Sequence, residues 1–340
     1  MRKVHSGIVL LVLLMFTATL ITGCTQGRNE SGELTKVRLS EVVHSIFYAP
    51  QYVAINEGFF VEEGLEIDLT TAQGADKVMT ALLSGSADIG LAGPEATIYV
   101  YKQGQTDYVV NFAQCTKTDG SFLVGRSLEP DFKWENLKGK TIIGGRPGGV
   151  PQMVLEYVLR EHGLTPHEDV NIITNLQFTA TSGAFTGGTG DYVANFEPTA
   201  SILEQEGVGH VVASLGVASG ELPYTVFMAQ KSYMEQNPEI IQKVTNAVYK
   251  AQLWIQNHSS RDVALSIHSF FPEVDIELLT KVVERYKEQG SWATNPLMDN
   301  DSFNRLQKII IDAGELDKAV DPNALITSDF ALKAMEDIEK

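Results

Sequence analysis

The sequence has few cysteines, a deficit of positive charge and few long apolar runs. Its 340 residues include 2 cysteines, 26 Lys and Arg residues and 43 Asp and Glu residues, for a net charge of −17. Two cysteines cannot build a disulfide framework or a cysteine-based zinc site. An acidic chain also lacks the basic surface that binds phosphate backbones, which argues against a nucleic-acid partner.

The apolar run at the N-terminus follows Arg2 and Lys3 and spans residues 8–20. It is shorter than the ~20 residues of a membrane-spanning helix, and small residues lead from it to Cys24. Residues 21–24, Ile-Thr-Gly-Cys, resemble the bacterial lipobox. We therefore predict a lipoprotein signal peptide over residues 1–23 and a lipidated Cys24. The alternative is a signal peptide that is cleaved elsewhere, with an incidental cysteine.

The residues after Cys24 indicate how the mature protein would be attached to a membrane. Residues 24–36 are polar and without apolar periodicity, which predicts a flexible tether. Without residues 1–23 the net charge falls to −19, because that segment holds two basic and no acidic residues. An acidic surface is repelled by anionic lipids, and no later apolar run reaches spanning length. Attachment is therefore expected through the lipid alone.

Beyond the tether, short β-rich runs alternate with helical patterns. Residues 37–43 and 65–71 predict strands, and residues 49–62 and 75–84 predict helices. A second block of the same kind begins near residue 141, and the chain becomes almost wholly helical after Lys231. This alternation indicates βαβ units with parallel sheets in two lobes.

Several short segments carry a specific resemblance to a known family. They are residues 44–60, which close a helix on Gly-Phe-Phe, and the motifs Glu-Gly-Leu-Glu-Ile at 63–67 and Leu-Ser-Gly-Ser-Ala-Asp-Ile-Gly at 83–90. Leu-Lys-Gly-Lys at 137–140 and Asn-Pro-Leu at 295–297 agree with them. In this order they resemble the nitrate, sulfonate, taurine and thiamine-precursor family of ABC-transporter solute-binding proteins.

The resemblance implies an α/β fold of the periplasmic-binding-protein type. Each of two lobes would be a mostly parallel sheet flanked by helices, with residues 37–124 and 223–340 in lobe 1 and 125–222 in lobe 2. The C-terminal region would be helical. The protein would be a monomer without cofactor or metal. It would bind a small solute in the cleft and pass it to an ABC permease and its ATPase. It would act outside the cytoplasm, anchored to the bacterial cell membrane.

Ligands of open α/β sheets bind at the carboxyl ends of the strands. The predicted strand ends of both lobes supply the following candidate ligand-binding residues: His44, Ser45, Tyr48, Gln73, Gly74, Gly93, Pro94, Glu95, Gln114, Cys115, Arg146, Gly148, Gly149, Val150, Phe178 and Glu197.

The glycine-rich loop at residues 144–151 follows a predicted strand. Such a loop can direct backbone N–H groups at an anion, and Arg146 could add a charged contact for a sulfonate or carboxylate. It lacks the Gly-Lys-Ser/Thr of a P-loop and the spacing of a dinucleotide fingerprint. The alternative is a tight turn with a solvated arginine.

Two glutamates at strand ends are candidate acceptors for ligand N–H groups. Glu95 could instead stabilise a helix start, and Glu197 could form a salt bridge between the lobes. Among the aromatic residues, Tyr48 and Phe178 could stack on a planar ligand, whereas Phe47 and Trp292 favour core packing. Cys115 is expected to pack rather than react, because no partner motif accompanies it.

Three functional interpretations remain open. The first is a binding protein that performs no chemistry. The second is an enzyme, because a thiamine-pyrimidine synthase shares the implied fold, but its cysteine cluster is missing here. The third is a ligand-sensing lipoprotein without transport. For the ligand, Arg146 and the glycine loop favour a sulfonate or taurine-like zwitterion, whereas acids and aromatics favour an aminopyrimidine-like heteroaromatic.

Overall fold

Two five-stranded sheets organise residues 33–338, which are the residues that the computed structural model describes. The predicted signal peptide and Cys24 lie outside these residues. The strands are β1 (Thr35–Glu41), β2 (Leu65–Thr71), β3 (Ile89–Ala92), β4 (Val109–Thr116), β5 (Ser121–Gly125), β6 (Thr141–Ile143), β7 (Asn171–Ile173), β8 (Tyr192–Phe196), β9 (His210–Ser214) and β10 (Thr225–Gln230).

The two sheets share one pattern of strand directions. The first has the order β2-β1-β3-β10-β4 and the second the order β7-β6-β8-β5-β9. In the first, β1 is parallel to β2 and β3, and β10 is antiparallel to β3 and β4. In the second, β6 is parallel to β7 and β8, and β5 is antiparallel to β8 and β9. This confirms the predicted α/β fold with mostly parallel sheets.

Helices flank both sheets and fill the C-terminal region. They are α1 (Ala49–Asn56), α2 (Phe59–Glu62), α3 (Ala75–Leu83), α4 (Glu95–Lys102), α5 (Val150–Glu161), α6 (Thr181–Thr186), α7 (Thr199–Gln205), α8 (Leu215–Ser219), α9 (Lys231–Gln236), α10 (Pro238–Asn257), α11 (Ser260–Ile267), α12 (Ile276–Gln289), α13 (Asn300–Asp312), α14 (Pro322–Leu325) and α15 (Asp329–Ile338).

The local sequence explains several element ends. The predicted helix over 49–62 is interrupted because Gly58 adopts a left-handed φ of 80°, which ends α1 and lets α2 start in a new direction. Helix α12 begins at Asp275, whose side chain accepts from two backbone N–H groups, and it closes on the left-handed Gly290. Helix α10 buries Ile241, Val244, Val248, Ala251 and Ile255, whose spacing places them on one face of the helix.

The chain passes between the sheets twice, in the loops after β4 and before β10. Because β5 pairs within the second sheet, the first crossing lies between Thr116 and Ser121, earlier than the predicted boundary at residue 124. Strand β1 likewise begins at Thr35, inside the predicted tether. With these corrections, the division into two lobes joined by two crossings is kept as a proposal.

Candidate functional site

A cavity of about 310 Å³ lies between strand ends of the first sheet and strand ends of the second. This volume suits a small organic molecule. Its walls come from the loops that follow β1, β2 and β3, from the loops that follow β6 and β7, and from the ends of β8 and β10. The cavity is thus at the edge that carries the carboxyl ends of the parallel strands.

Ten of the sixteen predicted residues line this cavity: Ser45, Tyr48, Gln73, Gly74, Gly93, Glu95, Arg146, Gly149, Val150 and Phe178. The other six, which the following paragraphs place elsewhere, are His44, Pro94, Gln114, Cys115, Gly148 and Glu197. The residues that line it are spread over both sheets, so the prediction of a site shared by two walls stands as a proposal.

His44 points away from the cavity into a polar cluster. Its Nδ1 lies 3.2 Å from Oε1 of Glu41 and its Nε2 lies 2.8 Å from the carbonyl oxygen of Phe270. The hydrogen bond to Glu41 raises the pKa of His44 above its ordinary value. The Glu41 carboxylate also accepts from Tyr52 at 2.7 Å, and its side chain is fully buried. This histidine therefore joins the first strand to the segment after α11.

The other displaced residues of the first sheet are structural. Gln114 and Cys115 are buried in β4 against α10, where Gln252 donates to the Gln114 carbonyl at 2.7 Å. Burial raises the pKa of the Cys115 thiol, which leaves it a poor nucleophile. Pro94 precedes α4 and accepts from the Thr97 hydroxyl at 2.8 Å.

Glu95 is a buried carboxyl group in the cavity wall. The residue is 5% exposed, and its Oε2 has no hydrogen-bond partner among the described residues. Burial raises the pKa of Glu95 to about 7, although the backbone N–H groups of Glu95 and Ala96 oppose this shift. A Cβ on Gly93 would overlap Oε2, so any larger residue at position 93 would displace the Glu95 carboxyl group. Such a carboxyl group is suited to accept from a ligand N–H.

The glycine-rich loop forms the opposite wall, and its amide groups are partly used. Gly145 donates its backbone N–H to Oε1 of Gln152 at 3.0 Å, and Gly149 donates to the carbonyl of Arg146 at 3.3 Å. Gly148 is turned outward, and its carbonyl accepts from Tyr99 at 3.1 Å. The loop therefore has fewer free donors for an anion than the sequence suggested.

Arg146 reaches from this loop toward the first sheet. Its Nη2 lies 3.6 Å from Oδ1 of Asp76, and its side chain is 51% exposed. Lys77, on the same helix as Asp76, also lines the cavity and is exposed. Both cations are therefore at the solvent side of the cavity, away from the buried Glu95.

Four aromatic rings line the cavity. They belong to Tyr48, Phe178, Phe196 and Tyr224. The Phe178 and Phe196 ring centroids are 5.7 Å apart, and those of Phe196 and Tyr224 are 6.2 Å apart. Phe178 is 45% exposed, an unusual exposure for a large apolar ring. Trp292 instead packs in the core, as expected, and donates to the Phe47 carbonyl at 2.9 Å.

Glu197 is buried outside the cavity in an ionic network. Its carboxylate accepts from the Ser201 backbone N–H and hydroxyl, both at 2.9 Å, and from Arg285 at 2.5 Å. Arg285 also donates to Glu204 at 2.8 Å. Because Arg285 lies on α12 and Glu197 follows β8, this network ties the C-terminal helices to the second sheet. The salt-bridge alternative for Glu197 matches this geometry.

Several cavity residues were missed by sequence reasoning. Tyr224 and Thr225 lie at the start of β10, and Ser121 at the start of β5. These strands are antiparallel to their neighbours, so their N-terminal ends lie at the edge where parallel strands have their carboxyl ends. Recognising the two crossing strands as antiparallel would have added these residues to the candidate set.

The described residues carry neither a metal cluster nor a spanning helix. Within 33–338, no group of three or more His, Cys, Asp and Glu side chains is arranged to hold a metal ion. Within the same range, no helix has the length and apolar character needed to cross a membrane.

Two mostly parallel sheets with a ligand-sized cavity between their strand ends define a protein of the periplasmic-binding-protein fold. The chain belongs to the NMT1-like family, which matches residues 30–269. It is 48% identical over 322 residues to YtlA of Bacillus subtilis, whose name describes it as a binding protein; the match covers 95% of this chain and 94% of YtlA.

More distant proteins agree in fold. The formylaminopyrimidine-binding protein of Halalkalibacterium halodurans is 25% identical over 298 residues, 82% of this chain and 85% of that protein. The alkanesulfonate-binding protein SsuA of Xanthomonas axonopodis, solved with bound MOPS, superposes with a TM-score of 0.69 at 17% identity. That superposition covers 88% of this chain and 100% of SsuA. The latter similarity supports the fold alone.

Proposed function

We propose that the protein is the extracytoplasmic receptor of an ABC importer, which captures a small organic solute in the cavity and delivers it to a permease. Membership of the NMT1-like family and a ligand-sized cavity between two sheets support this role. The receptor would act as a monomer beside its permease and ATPase. It would perform no chemistry, in keeping with the similarity to YtlA, whose name describes a binding protein.

The proposed solute is planar and carries N–H donors, as an aminopyrimidine does. The observation that carries this choice is the unpartnered Oε2 of buried Glu95 in a wall of aromatic rings. A buried acceptor without a partner is unfavourable unless a ligand satisfies it. Planar rings also gain from contact with Phe178 and Tyr48. The similarity to a formylaminopyrimidine-binding protein is consistent with this solute class.

A sulfonate or taurine-like zwitterion is the second candidate. Arg146 and Lys77, both at the solvent side of the cavity, favour it. Arg146 is half exposed and lies near Asp76, so its net contribution to anion binding is expected to be small. We therefore place the main recognition at Glu95 and an auxiliary contact for a polar substituent at the rim.

Calorimetry on two variants distinguishes these candidates. With 4-amino-5-hydroxymethyl-2-methylpyrimidine as probe, Glu95→Gln should weaken binding by about 1.5 to 3 kcal/mol, because the amide loses the charge that strengthens the hydrogen bond. This is a tenfold or larger rise in Kd. Arg146→Ala should change it by less than about 1 kcal/mol.

Taurine provides the opposing test with the same variants. If taurine binds wild type more tightly than the pyrimidine and Arg146→Ala is the more damaging change, the solute is anionic and Glu95 is not its anchor. Near-native affinity of both variants for both probes would place the binding site elsewhere.

We also propose that lipidated Cys24 attaches the protein to the outer face of the bacterial cell membrane. The acidic composition leaves no other evident means of attachment. Cys24→Ser should move the protein from the membrane fraction to the soluble fraction. A variant that still pellets with membranes in detergent-free buffer would contradict the anchor without affecting the proposal on the solute.

A further inference from the structure

Two further buried polar groups without a hydrogen-bond partner among residues 33–338 belong to Tyr224 and Asp119. The Tyr224 hydroxyl has no hydrogen-bond partner among the described residues, although Tyr224 is 5% exposed and lines the cavity. Asp119, in the crossing between β4 and β5, is fully buried, and its Oδ2 is also unpartnered. Its Oδ1 accepts from the Ser121 backbone N–H at 2.6 Å and from the Ser121 hydroxyl.

Tyr224 and Glu95 both line the cavity beyond the end of the β3–β10 ladder. In the antiparallel pairing of β10 with β3, the last pair is Val226 opposite Ala92. Tyr224 is two residues and Glu95 three residues from this pair, on the same side of it. Burial, followed by the charge of Asp119, raises the pKa of Tyr224 well above its ordinary value, so its hydroxyl keeps its proton. Glu95 is a further contributor to that pKa, in agreement with the register.

The hydrogen-bond donors and acceptors around Tyr224 determine which way its hydroxyl hydrogen points. A phenol has one O–H donor and can also accept, whereas an ionised carboxylate only accepts. Glu95 and Asp119 each present an unpartnered oxygen, but the position of Asp119 behind the wall leaves it no route to a ligand, since it does not line the cavity. Tyr224 donates its backbone N–H to the Thr116 carbonyl at 3.1 Å, and its ring packs on Phe196, which pairs with Ser121, so Tyr224 lies against the 116–121 segment that carries Asp119. Tyr224 is therefore the donor available to Asp119.

We propose that Tyr224 donates its proton to Oδ2 of Asp119 and presents its oxygen to the cavity as an acceptor beside the Glu95 carboxylate. This inference rests on the proposed function and deepens it. Two neighbouring acceptors select the two in-plane N–H groups of a primary amino or amidine group on a planar solute. They reject a carbonyl oxygen at the same position, because two acceptors would then face each other. Asp119 is a positioning residue that sets this preference without touching the solute.

The substitution Asp119→Asn should reverse the preference. Ser121 donates two hydrogen bonds to the Oδ1 side, so the amide oxygen stays there and the new NH₂ group faces Tyr224. The Tyr224 oxygen then accepts from the amide, and its O–H turns toward the cavity. The ratio of affinities for 4-amino-5-hydroxymethyl-2-methylpyrimidine and its 4-oxo counterpart should fall at least tenfold. Loss of stability alone would weaken the binding of both probes without changing the ratio of their affinities.

Two further variants separate orientation from folding. Tyr224→Phe removes the acceptor oxygen and should weaken the binding of the amino probe several-fold. In that background Asp119→Asn should leave the ratio unchanged, because its effect passes through the hydroxyl. Asp107→Asn is a matched control, since Asp107 also accepts from the backbone N–H and hydroxyl of one serine, Ser232, but lies outside the cavity lining. It should not alter the ratio.

The outcomes distinguish this inference from the function on which it rests. If wild type prefers the amino probe, Glu95→Gln weakens it, and neither Asp119→Asn nor Tyr224→Phe changes the ratio of the two probes, the Tyr224 assignment is overturned while the proposed function stands. If wild type binds the oxo probe as tightly as the amino probe, the paired acceptors are overturned. If wild type binds neither probe, the solute class itself is wrong, and this inference falls with it.

Discussion

Glu95 and Glu197 occupy corresponding places in the two sheets and have opposite surroundings. Glu95 follows β3 of the first sheet and Glu197 follows β8 of the second, and they are 5% and 2% exposed. Glu197 has Arg285 and Ser201 as partners, whereas Oε2 of Glu95 has none among the described residues. Burial alone therefore does not separate a structural acid from a binding acid; the difference lies in the hydrogen-bond partners.

The two sheets therefore contribute differently to the cavity. The second sheet contributes an acid that is satisfied within the protein and a loop whose amides are partly used, so it supplies shape and an exposed cation, Arg146, at the rim. The first sheet instead presents to the cavity a buried carboxyl oxygen of Glu95 without a partner among the described residues, which is unfavourable in the free protein and favourable once a ligand meets it. The substitutions below test this division, beginning with the largest expected effect.

Removing the partner of Glu197 should cost the most stability. Arg285→Met would leave a buried carboxylate without its cation, and breaking such a pair costs about 3 to 5 kcal/mol of unfolding free energy. Urea denaturation would measure this loss. Arg261→Met is the matched control, because Arg261 pairs with Glu277 at 2.7 Å where both side chains are more than half exposed. The control should lose less than about 1 kcal/mol.

A loss for Arg285→Met no larger than that of the control would contradict the structural role of Glu197. A loss of solute affinity in Arg285→Met without a loss of stability would move Glu197 from the structural to the binding class. Either outcome would remove the contrast between the two glutamates.

Glu95 should instead make the free protein less stable as pH rises. Its pKa of about 7 in the folded chain lies above its ordinary value of 4.5. The folded state therefore holds the proton more tightly, and the unfolding free energy falls between about pH 4.5 and pH 7. The full difference is about 3 kcal/mol, from ~1.4 kcal/mol per pH unit. Glu95→Gln should remove this decrease, so the variant should exceed wild type in stability at pH 8.

Comparing the variant with wild type isolates Glu95 from other groups that titrate in this range. Burial raises the pKa of Asp119 to about 6, but Asp119 is present in both proteins and its contribution cancels in the difference. Denaturation curves at pH 5 and pH 8 suffice. A stability difference that does not grow with pH would show that the Glu95 carboxyl is not buried in solution as described.

The fold could be predicted from the sequence because its signals are local. Hydrophobic periodicity and turn residues located β2 at residues 65–71 with its observed ends, and they indicated the helical character of the chain after Lys231. Local signals did not reveal that β5 belongs to the second sheet, since pairing partners distant in sequence decide sheet membership. The short helices α6 and α8 were also missed, because two turns or fewer carry little periodicity.

The cavity was predictable where strand ends on parallel strands sufficed, as for Glu95 and Arg146. It was not predictable where side-chain direction or a tertiary partner decides the outcome. Glu197 carries the same strand-end signal as Glu95, but Arg285, 88 residues later, takes its carboxylate. Tyr224 lay beyond the predicted set because its place depends on an antiparallel strand that returns from the second sheet.

The central claim is that the Glu95 carboxylate accepts a hydrogen bond from the solute, and its titration tests this most directly. We expect ¹³C NMR of the Glu95 side-chain carboxyl, assigned with Glu95→Gln, to give a pKa near 7 in the free protein. Saturation with 4-amino-5-hydroxymethyl-2-methylpyrimidine should lower that pKa, because an N–H donor stabilises the ionised form. An unchanged or higher pKa in the complex would contradict the claim, since it would mean that the solute leaves Glu95 untouched or binds its protonated form.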